Sequence, residues 1–385
     1  MQRYDTYKDS GVKWLGEIPS HWEVIPMKYC MQIKNGMDYK QVVADYGYPV
    51  IGSGGQFAYA SDYMHDGEVV FFGRKGTIDK PLHFKGKFWA VDTMFYAIPK
   101  KIYGKFLYYV GLTIPYKYYS TATALPSMTQ TDLGNNPICF PPLEEQTAIA
   151  NYLDTATTKI DAAIAQQQKM IDLLNERKQI IINRAVTKGL NPNAKMKDSG
   201  VEWIGEVPEG WEVRKLKHIA KLQSGDTISS DSFTETGYPV FGGNGFRGYT
   251  NRYTNDGDYV LIGRQGALCG NVNYAHGQFF ASEHAVVVYP HKHENIVWLG
   301  EVIRASNLNQ YSQSAAQPGL AVSLIQNICY PYPPKEEREG IALYIAKNIK
   351  VIDEGIKNYQ EQISLLQERK QIIINEVVTG KVRVV

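Results

Sequence analysis

The chain has 385 residues, 44% hydrophobic and 21% charged, enough for two or three domains with sizeable cores. Its 41 Lys and Arg nearly balance 39 Asp and Glu. The balance is local too, with 15 basic against 14 acidic residues in 1–145 and 12 against 15 in 194–337, so a nucleic-acid surface has to be a patch rather than a basic domain. No apolar run approaches the ~18 residues of a membrane span, no apolar stretch follows the first residues as a signal peptide would, and the four cysteines form no CxxC pair. These features predict a cytoplasmic protein with reduced thiols and no membrane partner.

From the N-terminus, Asp9-Ser10-Gly11-Val12, Trp14, Gly16-Glu17, Pro19 and Trp22-Glu23-Val24 form a pattern that returns at Asp198-Ser199-Gly200-Val201, Trp203, Gly205-Glu206, Pro208 and Trp211-Glu212-Val213. The four tryptophans recur in register and are expected in cores. Tyr48-Pro49-Val50 and the turn Gly52-Ser53-Gly54-Gly55 return as Tyr238-Pro239-Val240 and Gly242-Gly243-Asn244-Gly245. Gly73-Arg74-Lys75-Gly76 returns as Gly263-Arg264-Gln265-Gly266. Val69-Val70-Phe71-Phe72, Val260-Leu261-Ile262 and Ala285-Val286-Val287-Val288 predict strands, and short helices are expected near 104–112 and 295–305. Cys139 and Cys329 sit in matching Ile-Cys-aromatic contexts that suggest strand packing.

Pro141-Pro142-Leu143-Glu144-Glu145-Gln146 and Pro333-Pro334-Lys335-Glu336-Glu337-Arg338 then open long helices, with proline before the first turn and carboxylates in it. Apolar or small residues at Ile149, Leu153, Ala156, Ile160, Ala163, Met170, Leu174, Ile181 and Ala185 alternate by fours and threes, and the second copy keeps the phase from Ile341 to Val377. This heptad predicts a coiled coil, interrupted at Gln167 and Arg177 and at Asn348 and Arg369. About 40 residues at ~1.5 Å each make a helix of roughly 60 Å. The linker from Thr187 to Asp198 is short, so the second helix should run back antiparallel to the first, with Gly380 finishing beside the start of the first domain.

Twofold-related domains on a rigid spacer suit a long repetitive ligand, and DNA presents half-sites every ~34–36 Å on one face. The scaffolds of the two copies match while the segments 77–92 and 267–283, and 115–130 and 306–322, do not, as a reader of two different half-sites requires. Direct catalysis finds little support: there is no GxxxxGK[ST] loop, no Asn/Asp-Pro-Pro-Tyr/Phe motif and no HExxH. Asp38-Tyr39-Lys40 reads as a turn and His291-Lys292-His293 as a solvated loop.

Residues 8–19, the two glycine turns, and Pro141–Gln146 ahead of a heptad helix ending Glu176-Arg177-Lys178 resemble the specificity subunit of type I restriction-modification systems, over essentially the whole chain and twice. The resemblance implies an α+β fold: two β-rich target recognition domains in tandem pseudo-twofold repeat, separated by an antiparallel two-helix coiled coil. The expected boundaries are 1–143 and 189–335 for the domains, 144–188 and 336–380 for the helices, and 381–385 for a tail. It implies a non-catalytic subunit that binds double-stranded DNA, two modification subunits and two restriction subunits, with S-adenosylmethionine, ATP and Mg bound by the partners and no cofactor or metal here. The alternative is a coiled-coil adaptor that binds no DNA.

For DNA reading, Arg74 and Lys75, with Arg264 and Gln265 in the matching place, sit between glycines that let backbone approach a ligand, and Arg or Gln can read guanine or adenine edges. Ser53 and Asn244 share the other glycine turn. Thr121 and Thr123, with Ser314 and Gln317, lie in polar loops before prolines, and Lys85 and Lys87 are candidates for phosphates. The twice-repeated Arg177-Lys178 and Arg369-Lys370 are the candidates for docking two identical partners. Gln265 in place of Lys75, and Lys335 and Arg338 in place of Leu143 and Gln146, are where the second copy departs from the pattern.

Overall fold

A computed structural model describes residues 2–119, 126–266, 269–312 and 319–384. It divides into two units, Met1–Gln168 with Glu361–Val385, and Lys169–Gln360. In the first unit a seven-stranded sheet runs Met31–Asn35, Met94–Pro99, His65–Gly73, Leu82–Ala90, Tyr48–Gly52, Gly55–Ala60, Val43–Ala44. The apolar run Val69–Phe72 is continuous because both faces of its strand are covered. Strand alternation sends Val70 and Phe72 to one core, with Phe106, Leu107 and Val110 of the helix Gly104–Gly111. It sends Val69 and Phe71 to a second core with Phe88 and Val50. The second unit repeats the device: Val260 and Ile262 join Trp298, Leu299, Val302 and Ile303 of the helix Ile296–Ala305, while Leu261 faces Phe279.

The two units differ where the long hairpin turns a corner. In the first, His65–Gly73 and Leu82–Ala90 pair without a break through Gly67 opposite Gly86, at φ 153 and 124, backbone that a Cβ would strain. In the second, Gly257 at φ 129 donates its N–H to the Gly277 carbonyl at 3.0 Å, and the ladder parts there. The same chain segment therefore makes two four-stranded sheets instead of one of seven.

Each leading segment is clamped to a long helix. Trp22, fully buried, donates Nε1–H to Glu145 Oε2 at 3.0 Å in the first turn of the helix Leu143–Lys188. Trp211 does the same to Glu337 Oε2 at 2.8 Å in the helix Lys335–Val378. The end of the other helix shares each core: Ile374, Val377 and Val378 lie with Ile149, Ala150 and Leu153 in the first unit, and Ile182, Ala185 and Val186 with Ile341, Ala342 and Ile345 in the second. Within each unit the helical segments thus run antiparallel. Gly380, at φ 73, leaves no room for a Cβ against Pro19, and Lys381 Nζ donates to the carbonyls of Leu15 and Glu17 at 2.8 and 2.5 Å. Arg383 N–H donates to the Gln2 carbonyl, so the last described residues lie beside the first, as the short linker predicts.

The expected heptad positions are buried or half-buried, Gln167 among them. Arg177 and Arg369 are exposed instead, because the helix turns the next residue inward. Lys178 Nζ meets both Asp353 carboxylate oxygens at 2.7 and 3.0 Å, and Lys370 Nζ meets those of Asp161 at 2.7 Å. These pairs stand at equivalent positions of the repeat. The cysteines are not equivalent: Cys139 pairs across from Val24, whereas Val213, the counterpart of Val24, faces Pro331, and Cys329 faces Lys215. All four thiols are free.

Candidate nucleic-acid interface

Several chain reversals gather at one end of each sheet. In the first unit they are Gly36–Met37, the turn Gly52–Gly55, the loop Gly73–Gly76, and Val91–Thr93. Met37 N–H donates to the Ala90 carbonyl at 2.9 Å and Arg74 N–H to the Thr93 carbonyl at 2.8 Å. Gly36 admits no side chain, since a Cβ would lie 1.9 Å from the Val91 carbonyl oxygen. The segment around Ser127 closes the cluster, with Gly76 N–H donating to the Pro126 carbonyl and Met128 N–H to that of Arg74.

The second unit builds the same cluster. Asp226 N–H donates to the Ala281 carbonyl at 2.9 Å, Arg264 N–H to the His284 carbonyl at 3.0 Å, and Leu320 N–H to the Arg264 carbonyl at 2.9 Å. Gly225 lies as tightly against Ala281 and Ser282 as Gly36 against Val91, and Gly243 stands against the loop Gly263–Gly266. A backbone frame of four reversals is thus kept, and what changes is the side chains that it carries.

In the first unit that frame exposes Arg74 and Lys75. Arg74 lies with its guanidinium 6.0 Å from the Phe95 ring centre and reaches the Asp92 carbonyl at 3.5 Å. Ser53 is half-buried in the neighbouring turn, and Lys80 is exposed near the start of the next strand. The second unit offers amides. Asn244, exposed, accepts from Asn271 Nδ2 at 3.2 Å, and Gln265, exposed, has Oε1 2.7 Å from His284 Nδ1. Arg264 turns inward, donating Nη1–H to Ser224 Oγ at 3.0 Å.

The sites singled out in the sequence divide in three. Arg74 and Lys75 stand side by side, as do Arg264 and Gln265 with Asn244 in the adjoining turn, while Ser53 lies in the turn Gly52–Gly55 and by strand register Asn244 answers to Gly54 and not to Ser53. Lys85 and Lys87 are not in the turns themselves: they pair opposite Glu68 and Asp66 in the body of the hairpin, on either side of its Gly67–Gly86 corner. Lys87 Nζ lies 4.5 and 5.5 Å from the ring centres of Tyr63 and Tyr48. Thr121, Thr123, Ser314 and Gln317 lie outside the described residues. Lys80, Asn271, Asn273 and His284 went unnoticed in the sequence. The first three fall in or beside the segments where the two copies disagree, which was the available signal.

The model of the type I restriction modification DNA specificity domain matches residues 19–171 and again 208–373, and the chain belongs to that family with two copies in tandem. It is 26% identical over 429 residues to the putative type I restriction enzyme MjaX specificity subunit of Methanocaldococcus jannaschii, covering 98% of each chain. It is 45% identical over 139 residues to the type I restriction enzyme EcoprrI specificity subunit of Escherichia coli, an alignment that spans only 35% of each chain. Among solved structures, a chain from work on complex assembly and conformational transition of the type I R-M system superposes with a TM-score of 0.70 at 16% identity, covering 95% of this chain and 99% of that one. That likeness is one of fold.

Proposed function

We propose that this chain is the sequence-reading subunit of a type I restriction-modification complex, each domain reading one half of an asymmetric bipartite DNA site while the helices set the unread spacer. The observation that carries this is the pair of equivalent strand-end clusters, one presenting Arg74 and Lys75 and the other Gln265, Asn244 and Asn271. Arginine and lysine suit guanine edges, and glutamine and asparagine suit adenine edges, so one scaffold serves two different sequences. Phosphate contacts would set position around these loops without adding sequence information.

Methyl transfer and cleavage belong, in this reading, to two modification and two restriction subunits, which bring S-adenosylmethionine, ATP and Mg to a cytoplasmic complex. No helix among the described residues is long and apolar enough to cross a membrane. Leu173 and Ile180 flank exposed Arg177 on one helical face, and Leu365 and Ile372 flank Arg369 in the same way; all four apolar residues are exposed. Such an identical ridge, once per unit, supports docking of the same partner twice. Lys178 and Lys370, already committed to Asp353 and Asp161, contribute to the helix pair instead.

The test is to assemble the chain with its modification subunits and measure binding to DNA duplexes of varied sequence. A two-part preference separated by indifferent positions is expected. Binding with no sequence dependence would favour the adaptor reading.

A further inference from the structure

The equivalent loops of the two domains do not use equivalent residues. We propose that Gln265, oriented by His284, discriminates an A·T pair in the half-site of the second domain, and that Arg264, although it stands where Arg74 stands, is not a reader. The inference rests on the DNA-reading role proposed above and adds which residue of the second domain reads, and which base it selects.

Three observations converge on it. First, Arg264 is half-buried and spends its guanidinium inside the protein, Nη1 on Ser224 Oγ at 3.0 Å, with Nε buried. With the Arg264 guanidinium turned to Ser224, Gln265 is the exposed side chain between Gly263 and Gly266.

Second, Gln265 is held rather than free. His284 Nδ1 lies 2.7 Å from Gln265 Oε1, and the backbone carbonyl of the same histidine receives the N–H of Arg264 at 3.0 Å. One residue therefore fixes both the loop and the amide at its tip. An amide oxygen has two lone pairs, so with Nδ1 donating to one of them the other stays available to adenine N6–H while Nε2–H faces N7. In the first unit Thr93 supplies only the backbone half of this arrangement, to Arg74.

Third, the surroundings are short of hydrogen-bond partners. Of the buried side-chain polar atoms without a partner among the described residues, Asn273 Nδ2, Ser282 Oγ and Glu283 Oε2 all belong to this cluster or the residues beside it. Buried polar atoms are ordinarily satisfied, and a group of them at one loop end marks a surface completed by something else. The first unit contributes none of these atoms.

The test uses the complete complex with its modification subunits, carrying the unaltered chain, Gln265→Arg, His284→Ala or Arg264→Ala. Competition binding is measured against duplexes in which every base pair of the recognised site is changed singly. Gln265→Arg should move the preference at one position of one half-site from A·T to G·C. His284→Ala should cut the A·T preference at that same position about tenfold, the worth of one well-formed bidentate contact, and leave every other position alone. Arg264→Ala should leave the base preferences unchanged. The first domain's half-site, read in the same experiment, reports that each variant complex is intact. The proposal fails if Gln265→Arg leaves all preferences as they were, if His284→Ala relaxes the half-site uniformly, or if Arg264→Ala alone alters a base preference. If the unaltered complex shows no sequence preference at all, it is the DNA-reading role itself that fails.

Discussion

Arg74 and Arg264 occupy the same place in the repeat, yet one lies exposed beside Phe95 and the other is tied to Ser224. Arg74→Ala should therefore weaken one half-site by about 1–3 kcal/mol in binding to matched and single-substituted duplexes, without changing the melting temperature. The sequence pointed to these loops as candidates, because glycines bracket them in both copies, but not to which side chain turns outward. That depends on Ser224, forty residues away in the chain and next to Arg264 only in the folded sheet. Burial pushes the thiols of Cys30 and Cys139 up to about 12 from an ordinary 9.0. Both should resist alkylation at pH 8 until the protein unfolds, while half-buried Cys329 reacts first in a mass-spectrometric time course. Because the unfolded thiols ionise first, stability should fall as the pH rises from about 9 toward 12, as chemical denaturation across that range would show.

The long helices were the most legible elements, since a heptad sustained for some forty residues specifies a coiled coil and little else. The antiparallel pairing followed from the short linker. Less legible was which residue at the polar breaks faces inward: Arg177 and Lys178 are neighbours, and only the partner helix, with Asp353 opposite, decides for the lysine. The Lys178–Asp353 and Lys370–Asp161 pairs have carboxylates about half exposed, so a double-mutant cycle should give a coupling near ~0.5 kcal/mol that shrinks with salt. The tryptophan clamps are worth more. Trp22→Ala, which empties a fully buried site and frees Glu145, should cost about 3–5 kcal/mol in denaturant unfolding of the whole chain. On the exposed ridge, Leu173→Asp or Leu365→Asp should leave folding unchanged and weaken capture of one modification subunit each, as analytical ultracentrifugation of the mixed complex would show.

At the scale of the molecule, a duplicated chain with near-neutral charge offered no direct sign of nucleic acid, and geometry had to supply it. The repeat itself was plain in the sequence. The division of one hairpin into two sheets in the second unit was not, because Gly67 and Gly257 look alike in the sequence and differ only in whether the ladder continues past them. What the two units share is a frame, and what distinguishes them is the chemistry at its loops. The measurement that bears most directly on this is mapping of methylated sequences in cells carrying the complete system, with residues 1–145 native or exchanged for those of another family member. The expected result is a bipartite motif in which the exchange rewrites one part and leaves the other part and the spacer intact. A single uninterrupted motif, or an exchange that changes both parts together, would contradict the assignment of one half-site to each domain.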